Sequence, residues 1–155
     1  MTMDDDTGGA GGIPDGADLL ARGVARLLRE MGQTSLTEFT LRSGRRADLA
    51  AIDRGGKITI VEIKRSLADF RADAKWPEYL EFCDAFFFAV PVEFPRDVLP
   101  EDTGLLIADR YGAELIRPAL LTGGLHASRR KEILLRFATT AANRLQRLTD
   151  PELSA

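Results

Sequence analysis

The feature that most constrains the fold is a pair of apolar stretches at residues 46–52 and 57–64, separated by a short glycine-containing loop. Each stretch has the length typical of a strand, and the second is rich in β-branched residues. The loop Arg54-Gly55-Gly56 predicts a hairpin, because glycine is common in three-residue hairpin loops. The remaining elements must therefore be arranged around a two-stranded antiparallel unit.

A three-residue loop also sets the register of this hairpin. Residues whose numbers sum to 110 then face one another, so that Asp48 lies opposite Glu62, about 5 Å away between Cβ atoms. A two-residue loop would instead place Asp48 opposite Ile63 and would mix charge into the apolar pattern, so we prefer the first register. The apolar residues of the shared face are then Ala50, Ile52, Ile58 and Ile60.

Two opposed carboxylates repel each other, and partial burial strengthens the repulsion. A positive charge is therefore expected between Asp48 and Glu62. One candidate is Lys64, two residues beyond Glu62 on the same face. The other is Mg²⁺, which is typically held by one or two carboxylates with water and phosphate, and to which the main-chain carbonyl of Ile63 would add a ligand. The alternative is a surface ion-pair cluster without a metal, which would contribute little to stability.

Periodicity and turn residues predict the other elements. An amphipathic helix is expected at 16–31, ended by Gly32. Ser66 with Asp69 resembles a capping box and predicts a helix that Pro77 interrupts. Further strands are predicted at 36–41, 85–90, 104–109 and 113–117. A last helix is predicted from Ser128, as its N-cap, to Leu148, with a buried face of Ile133, Phe137, Ala141 and Leu145 and an arginine stripe of Arg129, Arg136 and Arg147.

This order of elements predicts an α/β fold, a mixed central sheet flanked by α-helices. A single domain is expected at 16–150, between an acidic, glycine-rich and disordered tail at 1–15 and a short C-terminal tail at 151–155. No apolar run approaches the roughly 18 residues of a membrane span. The single cysteine, Cys83, excludes an internal disulfide and suits a reducing cytoplasm. One histidine and one cysteine also exclude a zinc site.

Basic residues are clustered although the net charge is −3. Residues 42–75 contain nine Lys or Arg against five Asp or Glu, and residues 128–147 contain six against one. Such clusters permit contacts with nucleic acid, and they also occur as solvated faces. Arg45 and Arg46 flank the carboxylate pair and are expected to contact a DNA backbone, although Arg46 could pair with the carboxylates instead.

Asp48, followed fourteen residues later by Glu62-Ile63-Lys64, resembles the core motif of the PD-(D/E)XK nuclease superfamily, with Ala47 replacing the nominal proline. The wider text "GKITIVEIKRSLADFRADAKWPEYLEFCDAFFFAVP" resembles the MmcB-like DNA repair proteins, over about residues 16–150. The resemblance implies a restriction-endonuclease-like core and hydrolysis of DNA that depends on Mg²⁺ or Mn²⁺. Asp48, Glu62 and the carbonyl of Ile63 would hold the metal, and Lys64 would assist the attacking water.

The resemblance also suggests a role for Lys75 and Tyr79 in binding DNA. Their spacing is similar to the Gln-x-x-x-Tyr element of RecB-like nucleases, with lysine replacing glutamine. The alternative is that Tyr79 packs in the core and Lys75 is solvated. Glu38, on the strand before Asp48, is a candidate third acid or a solvent-facing residue, and Glu30 in the first helix is a weaker candidate for the same role.

Three functions fit these features. The first is a metal-dependent DNA nuclease in DNA repair, located in the cytoplasm with the nucleoid, with DNA and other repair proteins as partners. The second is a DNA-binding repair factor that keeps the fold without hydrolysis. The third is a protein-interaction module in which the charged trio is only an ion-pair cluster.

Overall fold

The predicted hairpin is part of a six-stranded mixed sheet with helices on both faces. The structure is a computed structural model that describes residues 16–121 and 123–153, so the predicted N-terminal tail lies outside the described residues. The strands are β1 (Thr34–Thr40), β2 (Arg46–Ile52), β3 (Ile58–Ile63), β4 (Ala85–Val90), β5 (Gly104–Ala108) and β6 (Ala113–Arg117). The helices are α1 (Gly16–Glu30), α2 (Leu67–Ala72) and α3 (Ala127–Thr149), and short 3₁₀ helices cover Trp76–Phe82, Arg96–Val98 and Pro151–Leu153.

The strands follow one another across the sheet in chain order. β1, β2 and β3 are antiparallel, β3, β4 and β5 are parallel, and β6 returns antiparallel to β5. Parallel neighbours need a crossover connection, which α2 and the 3₁₀ helix at Trp76–Phe82 supply between β3 and β4. The α/β class, with a mixed sheet flanked by helices, is confirmed and is consistent with a restriction-endonuclease-like core.

The predicted hairpin register is confirmed. Ala50 pairs with Ile60 and Ile52 with Ile58, so that each pair sums to 110. The loop is closed by Asp53, whose amide donates to the carbonyl of Lys57 at 3.2 Å. Gly56 has a φ of 86°, which explains the glycine there.

Each face of the sheet buries its own apolar cluster. α1 covers one face with Leu20, Val24 and Leu28, against side chains from β2 to β5. α3, α2 and the 3₁₀ helix at Trp76–Phe82 cover the other face. β3 and β4 lie between the two layers, and every residue of both strands is buried. The continuous apolar sequence of β4 is typical of a strand that is covered on both faces.

β1 changes face at Glu38, a non-glycine residue with a φ of 49°. Leu36 and Phe39 both pack into the cluster under α3, although residues three apart in a regular strand point to opposite faces. The left-handed backbone of Glu38 produces this change. Arg144 of α3 stabilises it, because its guanidinium donates to the carbonyls of Thr37 at 2.6 Å and Glu38 at 2.8 Å.

An ion pair fastens the other end of α3 to the sheet. The guanidinium of Arg130 donates to both carboxylate oxygens of Asp84, at 2.6 and 2.7 Å, and to the carbonyl of Gly56 at 2.8 Å. Asp84 also accepts the amide of Ile58 at 2.7 Å. Arg130 and this amide hold the pKa of Asp84 below its usual range, so the carboxylate stays ionised.

Two predictions about α3 are wrong. His126, not Ser128, is the N-cap, and it makes no side-chain cap hydrogen bond; the hydroxyl of Ser128 lies 3.2 Å from its ring instead. Leu145 is exposed rather than buried, whereas Ile133 and Phe137 are buried as predicted. Ser66 does cap α2, accepting the amide of Asp69 as the capping box predicted.

Among residues 16–121 and 123–153, no helix combines the length and the apolar character that crossing a membrane would need.

Candidate active site

The backbone pairing between β2 and β3 ends at Leu49 and Val61. Beyond these residues, the side-chain carboxylates of Asp48 and Glu62 accept main-chain hydrogen bonds. The amide of Asp48 donates to Oε1 of Glu62 at 3.0 Å, and the amide of Ile63 donates to Oδ2 of Asp48 at 2.7 Å. Main-chain donors that an unbroken ladder would pair with carbonyls are therefore paired with side chains. The structure brings the two carboxylates together, as the register predicted.

Burial makes this pair of carboxylates costly to ionise. Glu62 is 5% exposed, and burial together with the charge of Asp48 raises the pKa of Glu62 to about 8. Burial also raises the pKa of Asp48. Lys64 opposes both shifts only in part. At neutral pH the pair therefore keeps a proton unless a further cation stabilises the second charge.

Each carboxylate retains one oxygen that no main-chain amide occupies. Within the described part of the chain, Oδ1 of Asp48 and Oε2 of Glu62 have no hydrogen-bond partner. Two such oxygens suit a hard cation, which completes its coordination with water and phosphate oxygens. No group of three or more His, Cys, Asp or Glu residues able to hold a metal occurs within 16–121 and 123–153. Oδ1 of Asp48 and Oε2 of Glu62 are therefore the candidate cation ligands at the end of this hairpin.

Lys64 is 5% exposed and follows β3 on the same side as Glu62. Its Nζ donates to Oδ2 of Asp73 at 2.8 Å. Burial raises the pKa of Asp73, but the hydrogen bonds from Lys64 and from the amide of Lys75, together with the charge of Lys64, outweigh it, so the net pKa lies below the usual range. In this structure the ammonium is therefore held by Asp73 and acts on the carboxylate pair through its longer-range charge.

Sequence reasoning missed Asp73. It is the C-cap of α2, and a carboxylate at the C-terminus of a helix faces the negative end of the helix dipole. An acid in that position is unfavourable without a cation nearby. No sequence pattern identified this pair, because Lys64 already had Asp48 and Glu62 as expected partners and the end of α2 at Asp73 was not predicted.

Glu38 does not join the carboxylate pair. Its side chain is exposed, and the ion pair it makes is with Arg46, at 4.0 Å. Arg46 is near enough to Asp48 to lower the pKa of Asp48, but it pairs with neither site carboxylate. Glu30 is exposed at the end of α1, which covers the opposite face of the sheet.

Tyr79 and Lys75 lie on the 3₁₀ helix and at its N-cap. Residues four apart share a face in an α-helix, but in a 3₁₀ helix it is the side chains three apart that are aligned, so Lys75 and Tyr79 do not share a face. Tyr79 is buried and donates its hydroxyl to the carbonyl of Arg46 at 2.8 Å, while Lys75 is exposed. Burial and the charge of Glu62 raise the pKa of Tyr79 to about 12, so the phenol stays protonated.

Arg45 contributes a further positive charge beside Tyr79. Its guanidinium lies over the Tyr79 ring, 5.5 Å from the centroid, and is ion-paired with Glu78. Tyr79 and Glu78 both belong to the 3₁₀ helix at Trp76–Phe82. This helix therefore contacts the start of β2 through the Tyr79 ring and the Arg45–Glu78 ion pair.

The family model described as "DNA repair protein MmcB-like" matches residues 4–152. The chain belongs to the MmcB-like family. This MmcB-like chain is also similar to a solved structure, the SPO1766 protein of unknown function from Silicibacter pomeroyi. The two are 50% identical with a TM-score of 0.85, and the match covers 90% of this chain and 94% of the other. No curated protein matches the chain.

Proposed function

We propose that this MmcB-like protein is a nuclease that hydrolyses DNA phosphodiester bonds in DNA repair and depends on Mg²⁺ or Mn²⁺. The observation that carries the proposal is the carboxylate pair, Asp48 and Glu62, buried at the open end of the hairpin with one oxygen left on each. A structural ion pair would neutralise these charges within the protein. Here burial instead raises the pKa of Glu62 to about 8. The pair is thus suited to a cation that arrives from solution.

Asp48, Glu62 and the main-chain carbonyl of Ile63 would hold that cation. Once bound, it would lower the pKa of a coordinated water and polarise a phosphoryl oxygen. Binding requires both carboxylates to be ionised, so the affinity for metal should rise with pH until Glu62 is deprotonated. Family membership supports DNA as the substrate, since the family is described as one of DNA repair proteins.

Lys64 would orient the attacking water or neutralise the charge that develops on the phosphate. Its Nζ is bound to Asp73 in this structure, and Asp73 is only partly exposed. A phosphate beside the carboxylate pair would compete with Asp73 for the ammonium. Asp73 would therefore act as a positioning residue that holds the side chain of Lys64 beside Glu62.

Exposed bases around the site would bind the DNA backbone. Arg46 and Lys75 are exposed on the segments that flank the carboxylates. The hydroxyl of Tyr79 is occupied by the carbonyl of Arg46, so its part in DNA binding would be to fix the position of Arg46. Phosphate contacts of this kind give an affinity that falls as salt concentration rises.

The test is cleavage of branched, single-stranded and duplex DNA with Mn²⁺ or Mg²⁺. Lys64→Ala and Glu62→Gln should each reduce cleavage by at least about 100-fold, a typical effect of losing a charge that stabilises the transition state. Lys57→Ala, which removes a lysine at the far end of the same hairpin, is the matched control and should cut at the wild-type rate. Cleavage that persists in both site variants would refute the assignment.

A second candidate is a DNA-binding repair factor without hydrolysis. It is favoured by the pairing of Lys64 with Asp73, and by the lack, within the described residues, of a group of three or more acids placed to hold a metal. In that case the wild-type protein binds the same DNA without cutting it in either metal, and Lys64→Ala leaves the affinity within about twofold. Calorimetric titration with Mn²⁺ separates the two, because only the nuclease requires metal binding that Asp48→Asn abolishes.

A further inference from the structure

The outer face of α3 carries a row of apolar residues that nothing in the described chain covers. Leu135 is 59% exposed and Leu145 is 62% exposed, and Ala138 and Ala142 between them are also exposed. Their spacing of three, four and three residues places them along one stripe of the helix. We refer to Leu135, Ala138, Ala142 and Leu145 as the outer stripe. It lies opposite the helix face that carries Ile133 and Phe137, which are buried against the sheet.

The outer stripe reads the same in both directions. It runs leucine, alanine, alanine, leucine, and its spacing is symmetric about residue 140. A second α3 laid antiparallel would place Leu135 against Leu145 and Ala138 against Ala142, with each pair of numbers summing to 280. A two-fold interface requires this self-complementarity, in which residue i contacts j and j contacts i. The two central alanines would allow the helices to approach closely at the axis.

The charges of α3 favour the same antiparallel arrangement. Its first turns are basic; Lys131 is exposed there, whereas Arg129 is paired with Glu81. The chain just past its last turn is acidic, with Asp150 and Glu152. In the 280 register, residue 131 of one copy lies opposite residue 149 of the other, next to Asp150 of the second copy. A parallel pair would instead set the basic turns against each other. The positions beside the stripe add no repulsion, because Thr139, Ala141 and Gln146 are uncharged.

We propose that the outer stripe is a homodimer interface in which two α3 helices pack antiparallel about residue 140. The stripe runs from Leu135 to Leu145, about 15 Å of helix, so the buried area is at the low end for specific interfaces. The dimer should therefore form in a concentration-dependent way. Leu148, which is 81% exposed, extends the apolar surface by one more turn. The proposal is independent of whether the protein cuts DNA.

Sedimentation equilibrium of the full chain tests the association. The average mass of the wild type should rise from the monomer value of 17.0 kDa toward twice that value as concentration increases. Leu145→Lys should keep the protein monomeric over the same range, because a lysine would face Leu135 of the second copy. Leu120→Lys alters a leucine that is 65% exposed and lies off the stripe, and it should behave as the wild type.

Cysteine cross-linking tests the orientation. Cys83 is buried, so an introduced surface cysteine is the reactive one. A mixture of the Ala138→Cys and Ala142→Cys variants should form disulfide-linked dimers faster than either variant alone. A parallel pair would instead link Ala138→Cys to itself. A wild type that stays monomeric, or a dimer that survives Leu145→Lys, would refute the proposal. In the first case, the outer stripe would instead be a site for an amphipathic helix of another protein.

Discussion

Glu62 shows how a single side chain links folding to chemistry. It is 5% exposed, its Oε1 accepts the amide of Asp48, and its charge is opposed by a second carboxylate. The folded protein therefore prefers the protonated form, with a pKa of about 8 against 4.5 for an ordinary glutamate. Folding and deprotonation of Glu62 oppose each other, and the ionised form needs a cation.

This opposition predicts the pH dependence of stability. The folded-state pKa of Glu62 lies above its unfolded value, so its contribution to stability is lost as pH rises from about 4.5 through 8. In the absence of divalent cations, Glu62→Gln should raise the free energy of unfolding at pH 9 by about 1–3 kcal/mol, since one unit of pKa shift corresponds to about 1.4 kcal/mol. The gain should be much smaller at pH 5.

Urea denaturation at both pH values, followed through the fluorescence of Trp76, measures this effect. Glu114→Gln changes an exposed glutamate on β6 and is the matched control. A gain that is equal at pH 5 and pH 9 would show that ionisation of Glu62 is not the cause.

The carboxylate pair could be predicted from the sequence because strands alternate with a period of two and the loop length fixes the register. Asp48 and Glu62 therefore followed from arithmetic on residue numbers. The partner of Lys64 did not, because it depends on where a six-residue helix ends and how the chain turns afterwards. The position of the Asp73 carboxylate is set by how α2 packs, and the sequence around Asp73 does not indicate it.

At the scale of elements, β1 depends on α3 for its shape. Glu38 holds a left-handed backbone that costs roughly 1–2 kcal/mol for a residue with a side chain. The two hydrogen bonds from Arg144 offset this cost by satisfying the carbonyls of Thr37 and Glu38. The change of face lets Phe39 reach Phe137, with ring centroids 5.7 Å apart.

A double substitution tests this dependence. Arg144→Ala should lower the free energy of unfolding by about 1–2 kcal/mol through the loss of two charged hydrogen bonds. Glu38→Gly should raise it by about 0.5–1 kcal/mol, because glycine adopts positive φ without strain, and should restore about half of the stability lost in Arg144→Ala. Thr37→Gly, one residue away, should destabilise as glycine normally does inside a strand. Urea denaturation of the four variants decides; a Glu38→Gly variant that is destabilised like Thr37→Gly would contradict the role of the backbone strain.

Helix periodicity predicted α3 but misplaced Leu145. A series of residues four apart rotates by about 40° at each step, because four residues turn 400° on a helix with 3.6 residues per turn. The series starts at the buried Ile133 and has therefore left the buried face by Leu145. The sequence pattern identifies the start of the buried face, whereas the edge of the sheet beneath decides where it ends.

For the whole molecule, α1 decides how closely the helical layer approaches the sheet. A Cβ on Gly23 would lie 1.8 Å from the carbonyl oxygen of Asp109 and 2.4 Å from that of Gly112. The helix thus sits directly on the β5–β6 turn, and this layer closes the face opposite to the carboxylate pair. The carboxylate pair lies on the other face of the sheet, which α2, α3 and the 3₁₀ helix at Trp76–Phe82 cover.

This contact predicts an unusual response to alanine. Gly23→Ala should destabilise the protein by about 1–3 kcal/mol, because the added methyl group would clash with main-chain carbonyls, which cannot move aside as a side chain can. This loss is expected even though alanine stabilises a helix by about 1 kcal/mol relative to glycine. Gly112→Ala is the control, because nothing lies within 4 Å of a Cβ there. Thermal denaturation of both variants is sufficient; a rise in melting temperature for Gly23→Ala would show that α1 can move away from the turn.

The bend in β1 also bears on aggregation. β1 is an edge strand, and an edge strand normally presents a row of unpaired amides and carbonyls on which strands of other molecules can assemble. At the middle of β1 the backbone leaves the extended conformation at Glu38, and the guanidinium of Arg144 already occupies two consecutive carbonyls. An incoming strand therefore finds no continuous template along this edge. The same arginine that shapes the strand protects it from growing into an intermolecular sheet.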